Sequence, residues 1–182
     1  TSRYPFINST GLNRAIYISR ASAAGAVAGE LAVVYNDATT NTTGLTVTDG
    51  TYTINNRFDG NWAVSSEGTG FSSAPLTVAI IAPNTLYPST SNARVMFANA
   101  AIGGTHQNGT STPGAQRIAV SQLDLLAGPL YIGVAAADIP FVATTTGDWN
   151  AASTWNRGTV PTCNDIAVIA QGVNVTVNSA SN

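Results

Sequence analysis

The sequence contains no lysine, so all seven of its basic residues are arginine. Only 9% of the 182 residues carry a charge, against about 25% in an average soluble domain. With a formal net charge of -2, the chain lacks the clustered positive charge that neutralises nucleic-acid phosphates. We therefore expect no nucleic-acid partner. The low charge also leaves little electrostatic repulsion between copies of the chain, which favours self-association.

Residues that carry out catalysis are scarce as well. One histidine, His106, and one cysteine, Cys163, are present, so neither a zinc site built on several histidines nor an internal disulfide can form. No Gly-x-Ser-x-Gly nucleophile elbow occurs. Two acidic residues, Glu30 and Glu67, are not assigned to a predicted turn or helix cap. We predict a protein without catalytic residues, and a hydrolase that uses these two carboxylates is an alternative.

Metal-binding patterns are missing too. Asp37, Asp49 and Asp59 lie in separate predicted turns, and no Asp-x-Asp-x-Asp loop is present. We predict no cofactor and no metal site, with Ca²⁺ held by turn carboxylates as the alternative.

Long hydrophobic runs are absent. The longest apolar run extends only from Pro75 to Pro83, well short of the roughly 20 residues that cross a bilayer as a helix. We therefore predict a buried strand here and no membrane span. The sequence begins without Met or a signal peptide, as expected for a processed product or for part of a longer protein.

Apolar and polar residues alternate along most of the chain, and Gly, Asn and Asp interrupt the alternation. This pattern predicts strands at residues 14–19, 30–35, 44–48, 51–57, 61–66, 76–82, 93–98, 116–121 and 129–135. Nine short strands in about 125 residues are typical of an antiparallel β-sandwich. A short helix is predicted after Ser121, which is a suitable N-cap.

Two Asp-Gly pairs predict tight turns. Asp49-Gly50 lies between alternating segments, and both residues tolerate the positive φ of a two-residue hairpin loop. Asp59-Gly60 follows ten positions later, so we predict a three-stranded meander over residues 44–66. Residues 100–114 are rich in glycine and are predicted to form a long loop.

A change in pattern marks a second unit. After the polar run Thr144-Thr145-Thr146, the chain contains Gly147-Asp148-Trp149, Ser153-Thr154-Trp155, Val160-Pro161 and Asn164-Asp165, followed by two strand-like runs. We predict a β-sandwich domain over residues 1–143 and a short second β-rich module over residues 144–182. A module of this size buries little core by itself, so we expect it to be truncated or docked.

Over residues 144–177 this pattern resembles the opening of β-rich modules in secreted multidomain surface proteins of the Bacteroidota, which are exported through the type IX secretion pathway. The resemblance implies an extracellular, cell-surface location and an adhesin-like parent protein. It also implies that Trp149 and Trp155 are packing anchors of the module.

The sequence favours a non-catalytic structural or adhesive surface module that assembles into a filament or surface layer by β-strand contacts. Its partners are then other copies of itself or other surface proteins. Residues 1–13 are predicted to be loosely organised, and their apolar side chains Tyr4, Phe6 and Ile7 suit a strand donated to a neighbouring chain.

The alternative is a carbohydrate-binding module of a larger secreted polysaccharide-active enzyme. Sugar binding requires exposed aromatic rings that stack on the apolar face of a sugar. The candidates for such rings are Tyr52, Trp62, Phe71 and Tyr87. Tyr52 and Trp62 lie on adjacent predicted strands, so they are expected to share one face. In this alternative the partner is a glycan.

Overall fold

The computed structural model describes residues 2–20, 29–67, 74–81, 92–108 and 114–178. It is mostly β, with 48% strand and 7% helix. The chain divides into two compact units, residues 1–136 and 137–182. This division precedes the strand at residues 141–143, whereas the boundary expected from the sequence follows it.

Short strands and one capped helix form the described part of the first unit. The strands are β1 (Ser2–Tyr4), β2 (Ile16–Arg20), β3 (Glu30–Asn36), β4 (Asn41–Thr42), β5 (Val47–Asp49), β6 (Tyr52–Ile54), β7 (Asn56–Phe58), β8 (Asn61–Glu67), β9 (Leu76–Ile81), β10 (Arg94–Met96), β11 (Thr105–Asn108), β12 (Gly114–Val120) and β13 (Tyr131–Val134). Helix α1 (Gln122–Leu126) begins at Ser121, whose side chain accepts a hydrogen bond from the Asp124 N–H. The predicted helix and its cap are therefore confirmed. No helix of the described ranges has the length and apolar character that a membrane crossing requires.

Two antiparallel layers enclose the core of this unit. One sheet has the order β1-β2-β9-β12-β11, and the other has the order β10-β13-β7-β4. The β3–β8 pair extends the second layer, because Trp62 and Leu130 exchange backbone hydrogen bonds of 3.0 and 2.9 Å. Side chains from both layers are buried together, among them Ile16, Ile18, Trp62, Val64, Val78, Ile80, Val95 and Ile132. The predicted antiparallel sandwich is confirmed.

The first predicted hairpin forms, with its loop shifted by one residue. Asp49 pairs with Tyr52 across β5 and β6, so the two-residue loop is Gly50-Thr51. Gly50 has a φ of 62°, a conformation that glycine adopts without steric cost. Asp49 is consequently a strand residue, and its carboxylate is free of the turn geometry that the sequence predicted for it.

The predicted meander is wrong at its second turn. Strand β8 pairs with β3 along all seven of its residues, and β7 pairs with β4 and β13. The reason is the environment of Asp59, whose carboxylate accepts hydrogen bonds from the hydroxyls of Thr40 and Thr42 at 2.8 and 2.6 Å. These bonds hold the β7–β8 junction against residues 40–42 rather than folding it into a hairpin.

Three short strands of the first unit were not predicted. Strand β11 lies inside residues 100–114, which the sequence predicted to be a loop, and β4 lies in a threonine-rich stretch. Strand β1 lies in the segment that was expected to be loosely organised, and it pairs with β2 from Ser2 to Tyr4. Short strands of two to four residues carry too little alternation to be recognised from sequence.

The second unit is built from parallel pairs. Its strands are β14 (Phe141–Ala143), β15 (Gly147–Asp148), β16 (Ala167–Ile169) and β17 (Val175–Thr176). β14 pairs with β16, and β15 pairs with β17, both in parallel. A small core of Phe141, Ala143 and Trp155 lies against them, with Trp149, Val173 and Val175 partly buried around it.

Candidate functional site

Two of the aromatic residues predicted to bind sugar, Tyr52 and Trp62, lie within the described ranges and do not form a shared platform. Trp62 is 0% exposed, and its indole N–H donates to the Arg14 carbonyl at 2.7 Å. Tyr52 is half-buried on β6, and the Arg94 guanidinium lies 4.0 Å from the centre of its ring. Because Trp62 lies on β8 within the core, it offers no face to a sugar. Phe71 and Tyr87 lie outside the described residues.

The two tryptophans predicted to be module anchors pack against each other. The Trp149 and Trp155 rings form an edge-to-face pair with centroids 4.8 Å apart. The Trp155 indole N–H donates to the Trp149 carbonyl at 2.8 Å, and the Phe141 ring meets Trp155 edge-on at 6.3 Å. Trp155 is only 3% exposed, so this ring lies in the core of the second unit.

The predicted donor segment is ordered within its own chain. Tyr4 and Phe6 pack against the core of the first unit, while Ile7 is 69% exposed. The Ser9 N–H and hydroxyl both donate to Asp37, at 3.1 and 2.9 Å. The expectation of a loose segment is therefore wrong, because β1 pairing and the Ser9–Asp37 contact hold it in place.

The two unassigned glutamates are brought together. Glu30 and Glu67 are direct partners at one end of the β3–β8 ladder, and both are exposed. Nothing in the sequence placed them side by side. A glycosidase needs two carboxylates in unlike environments, one of them raised in pKa by burial. Two exposed glutamates on one sheet end share a similar, solvated environment, and facing like charges weaken the strand pairing locally.

The three aspartates that the sequence placed in turns accept hydrogen bonds from different residues. Tyr35 and Ser9 donate to Asp37, two threonines and Arg57 donate to Asp59, and Arg117 donates to Asp49. Within the described ranges, no group of three or more His, Cys, Asp or Glu side chains is placed to hold a metal ion.

A buried ionic network surrounds Asp49. Arg117 contacts it with two nitrogens, and Arg94 Nε lies 3.1 Å from Asp49 Oδ2. Arg117 also donates to the carbonyls of Gly103 and Gly104 at 2.8 and 3.0 Å. The hydrogen bonds from Arg117 lower the pKa of Asp49, and the positive charges of Arg117 and Arg94 act in the same direction. The network joins Asp49 of β5 to Arg94 of β10 and Arg117 of β12, and so holds the hairpin β5–β6 against these strands.

The side of β3 that faces away from β8 is here called the β3 edge. Among the described residues β3 pairs only with β8. Its seven residues alternate between exposed and half-buried side chains, and Val34 is 57% exposed. Glu30 is its one charged residue, it contains no proline, and its register is unbroken.

The other sheet edges in the described ranges are shorter. β1 has three residues and carries Arg3, with Pro5 directly after it. β10 has three residues and carries Arg94, and β4 has two. β11 has four residues. Short length, charge and proline are the devices that protect sheet edges from pairing with other chains. The β3 edge is longer than these edges, and its one protective device is the charge of Glu30.

Comparison of the chain with protein-family models, curated proteins and solved structures gave no significant match.

Proposed function

We propose that this chain is a non-catalytic structural module of an extracellular surface assembly, and that it joins other copies of itself by pairing β-strand edges. The observation that carries the proposal is the β3 edge. Seven residues in unbroken register leave a row of backbone N–H and C=O groups on the side away from β8. Such groups bind an incoming strand through main-chain hydrogen bonds.

The composition of β3 suits pairing with its own copy. An antiparallel pair centred on Val33 places Glu30 of each copy opposite Asn36 of the other, so the carboxylates do not face each other. Ala32 then lies opposite Val34, which covers apolar surface that is exposed in the single chain. Cross-strand pairs of this kind each stabilise a sheet by about 0.2–1 kcal/mol.

The composition of the whole chain supports the same proposal. A net charge of -2 spread over 182 residues gives little repulsion between copies. The extracellular location is proposed from the resemblance of residues 144–177 to secreted surface modules.

The test compares two lysine substitutions on the same sheet face. Val34→Lys places a charge on the β3 edge, and Ser65→Lys places the same charge on the exposed face of β8, one strand away. Sedimentation velocity over a range of protein concentrations should show self-association of the wild type. Val34→Lys should weaken it about tenfold or more, and Ser65→Lys should leave it unchanged.

Hydrogen exchange provides the second measurement. The β3 amides should become more protected as the wild type assembles, and they should not do so in Val34→Lys. A wild-type protein that stays monomeric at every concentration would contradict the proposal. Equal assembly of Val34→Lys and wild type would contradict the assignment to the β3 edge.

A further inference from the structure

A histidine adjoins the ionic network around Asp49. His106 is the one histidine of the sequence, and it lies on β11 directly opposite Arg117 of β12. Side chains of directly opposite residues lie on the same face of a sheet, so the imidazole is on the face from which Arg117 reaches Asp49. After the hydrogen bonds from Arg117, the charges of Arg117, Arg94 and His106 also lower the pKa of Asp49. Both ring nitrogens of His106 are buried.

Four strands each contribute one of the charged or titratable groups of this cluster. Arg117 lies on β12, Asp49 on β5, Arg94 on β10 and His106 on β11. Arg94 also lies over the ring of Tyr52 on β6, with 4.0 Å between the guanidinium carbon and the ring centre. Two arginines and one aspartate leave one excess positive charge while the imidazole is neutral. A protonated imidazole would raise this excess to two.

Helix α1 places one further carboxylate near the start of β11. Asp124 lies against Gly103, and its Oδ2 accepts a hydrogen bond from the Ser121 hydroxyl at 2.6 Å. The same hydroxyl accepts a hydrogen bond from the Asp124 N–H and caps the helix. The Asp124 carboxylate therefore belongs to the helix cap, and Asp49 is the carboxylate within the cluster.

Strand β11 lies at the edge of its sheet. Among the described residues it pairs only with β12, through residues 105–108, and Gln107 is exposed on its outer face. Arg117 holds the residues just before β11 by donating to the Gly103 and Gly104 carbonyls at 2.8 and 3.0 Å. Edge elements with few buried contacts open at a lower free energy than the core. Strand β11 can therefore separate from β12 while the rest of the sheet stays paired.

We propose that His106 makes β11 an acid-sensitive element of the fold. The neutral imidazole packs in the cluster and holds β11 in place. Protonation drives the imidazole into water, so that β11 separates from β12 and uncovers the side of β12 at residues 115–118. Burial and the two neighbouring arginines both oppose a positive charge on the imidazole. The negative charge of Asp49 is already bound by Arg117 with two hydrogen bonds. The inference does not depend on the β3 edge.

Hydrogen exchange at two pH values tests the inference. An imidazole in water binds its proton at about pH 6.5, so the stabilisation by the neutral ring is present above this pH and is lost as the pH falls. A proton that binds only after β11 separates raises the equilibrium constant for separation about thirtyfold between about pH 7.5 and about pH 5. The protection factors of the amides bonded between β11 and β12 should fall by that factor in the wild type. The amides that join β2 to β9 are the reference and should keep theirs.

Two variants separate the imidazole from other effects of acid. His106→Gln has an amide side chain that does not titrate, and its protection factors should not depend on pH. His106→Gln/Gln107→His moves the imidazole to the next position, which is exposed, and should behave as His106→Gln does. Asp49 stays ionised over this range, because the hydrogen bonds from Arg117 lower its pKa below the ordinary value of 3.8.

Three results would overturn the inference. Equal loss of protection in the wild type and His106→Gln would show that another group responds to acid. A gain of protection in the wild type would show that the protonated imidazole binds Asp49 and stays in the cluster. A loss in the double variant equal to that of the wild type would show that the buried position of the ring does not matter.

The wild type alone decides the question if His106→Gln does not fold. Its one histidine gives an unambiguous imidazole signal in nuclear magnetic resonance. That signal should shift over the same pH range in which β11 loses protection. Titration of the imidazole with unchanged protection of β11 would contradict the inference.

Discussion

Arg117 holds Asp49 with both of its terminal nitrogens, Nη1 at 2.8 Å from Oδ2 and Nη2 at 3.0 Å from Oδ1. The two residues are 68 positions apart in the sequence and join the β5–β6 hairpin to β12. Both side chains are largely buried, at 5% and 13% exposure. A paired geometry of this kind is the form in which a buried ion pair stabilises a fold.

Replacement of Arg117 should therefore destabilise the first unit. Arg117→Ala removes two hydrogen bonds to the Asp49 carboxylate, for which Arg94 remains as an ion-pair partner, and the loss of these bonds should cost about 1–3 kcal/mol. Urea denaturation measures the change. Arg20→Ala, at an exposed arginine, is the control for loss of one positive charge and should change the free energy of unfolding by less than about 0.5 kcal/mol. Equal effects of the two substitutions would contradict a structural role for the pair.

The same pair should give the stability a dependence on acid pH. Hydrogen bonding from Arg117 lowers the pKa of Asp49 below its ordinary value of 3.8. The stabilisation is present above that value and is lost as the pH falls through the lower pKa of the folded state. The difference in unfolding free energy between wild type and Asp49→Asn should therefore be constant above about pH 5 and narrow as the pH falls below about 4. A difference that does not change with pH would contradict the ionic nature of the contact.

Tyr35 should make the stability of the fold depend on alkaline pH. Burial, together with the hydrogen bond to Asp37, raises the pKa of Tyr35 from 10.0 to about 12. The folded state keeps the phenolic proton more firmly than the unfolded state, so its stabilisation is present below pH 10 and is lost as the pH rises toward 12. The stability difference between wild type and Tyr35→Phe should narrow across that range. Ultraviolet titration should show that Tyr35→Phe removes the phenol that ionises near pH 12.

Replacement of Trp155 should destabilise the second unit. Trp155→Phe keeps an aromatic ring but leaves the Trp149 carbonyl without the indole donor, which costs about 1–3 kcal/mol. Trp155→Ala also empties the small core and costs about 3–5 kcal/mol. Limited proteolysis should cut within residues 137–178 in Trp155→Ala and spare them in Ser153→Ala. Resistance of Trp155→Ala to the protease would show that the ring does not hold the unit.

Local patterns predicted most of the strands, because alternation and turn residues act over a few positions. Each of the nine predicted strand segments overlaps a strand of the described chain. The sequence could not show that Asp49 binds Arg117, because a partner 68 positions away leaves no local signal. For the same reason Asp49 was interpreted as a turn residue, although it is the last residue of β5.

The sequence did not reveal which strands pair with each other. The turn at Asp59-Gly60 predicts that residues 61–66 pair with residues 51–57, whereas β8 pairs with β3. The parallel pairs of the second unit were not predicted at all, since alternation alone does not reveal strand direction. The sequence alone predicts only part of what defines the β3 edge. Its low charge can be read from the sequence, but its place at the end of a layer depends on the whole topology.

The contact between Ser9 and Asp37 has a mechanical consequence. A pull on Ser2 would peel β1 from β2 one residue pair at a time, because the ladder ends at Ser2 and Ile18. Peeling would stop at the Ser9 hydrogen bonds to Asp37, which directly follows β3. Tension on the N-terminal segment would thus be passed to β3. Force on one copy would in this way reach its proposed contact with the next copy at the β3 edge.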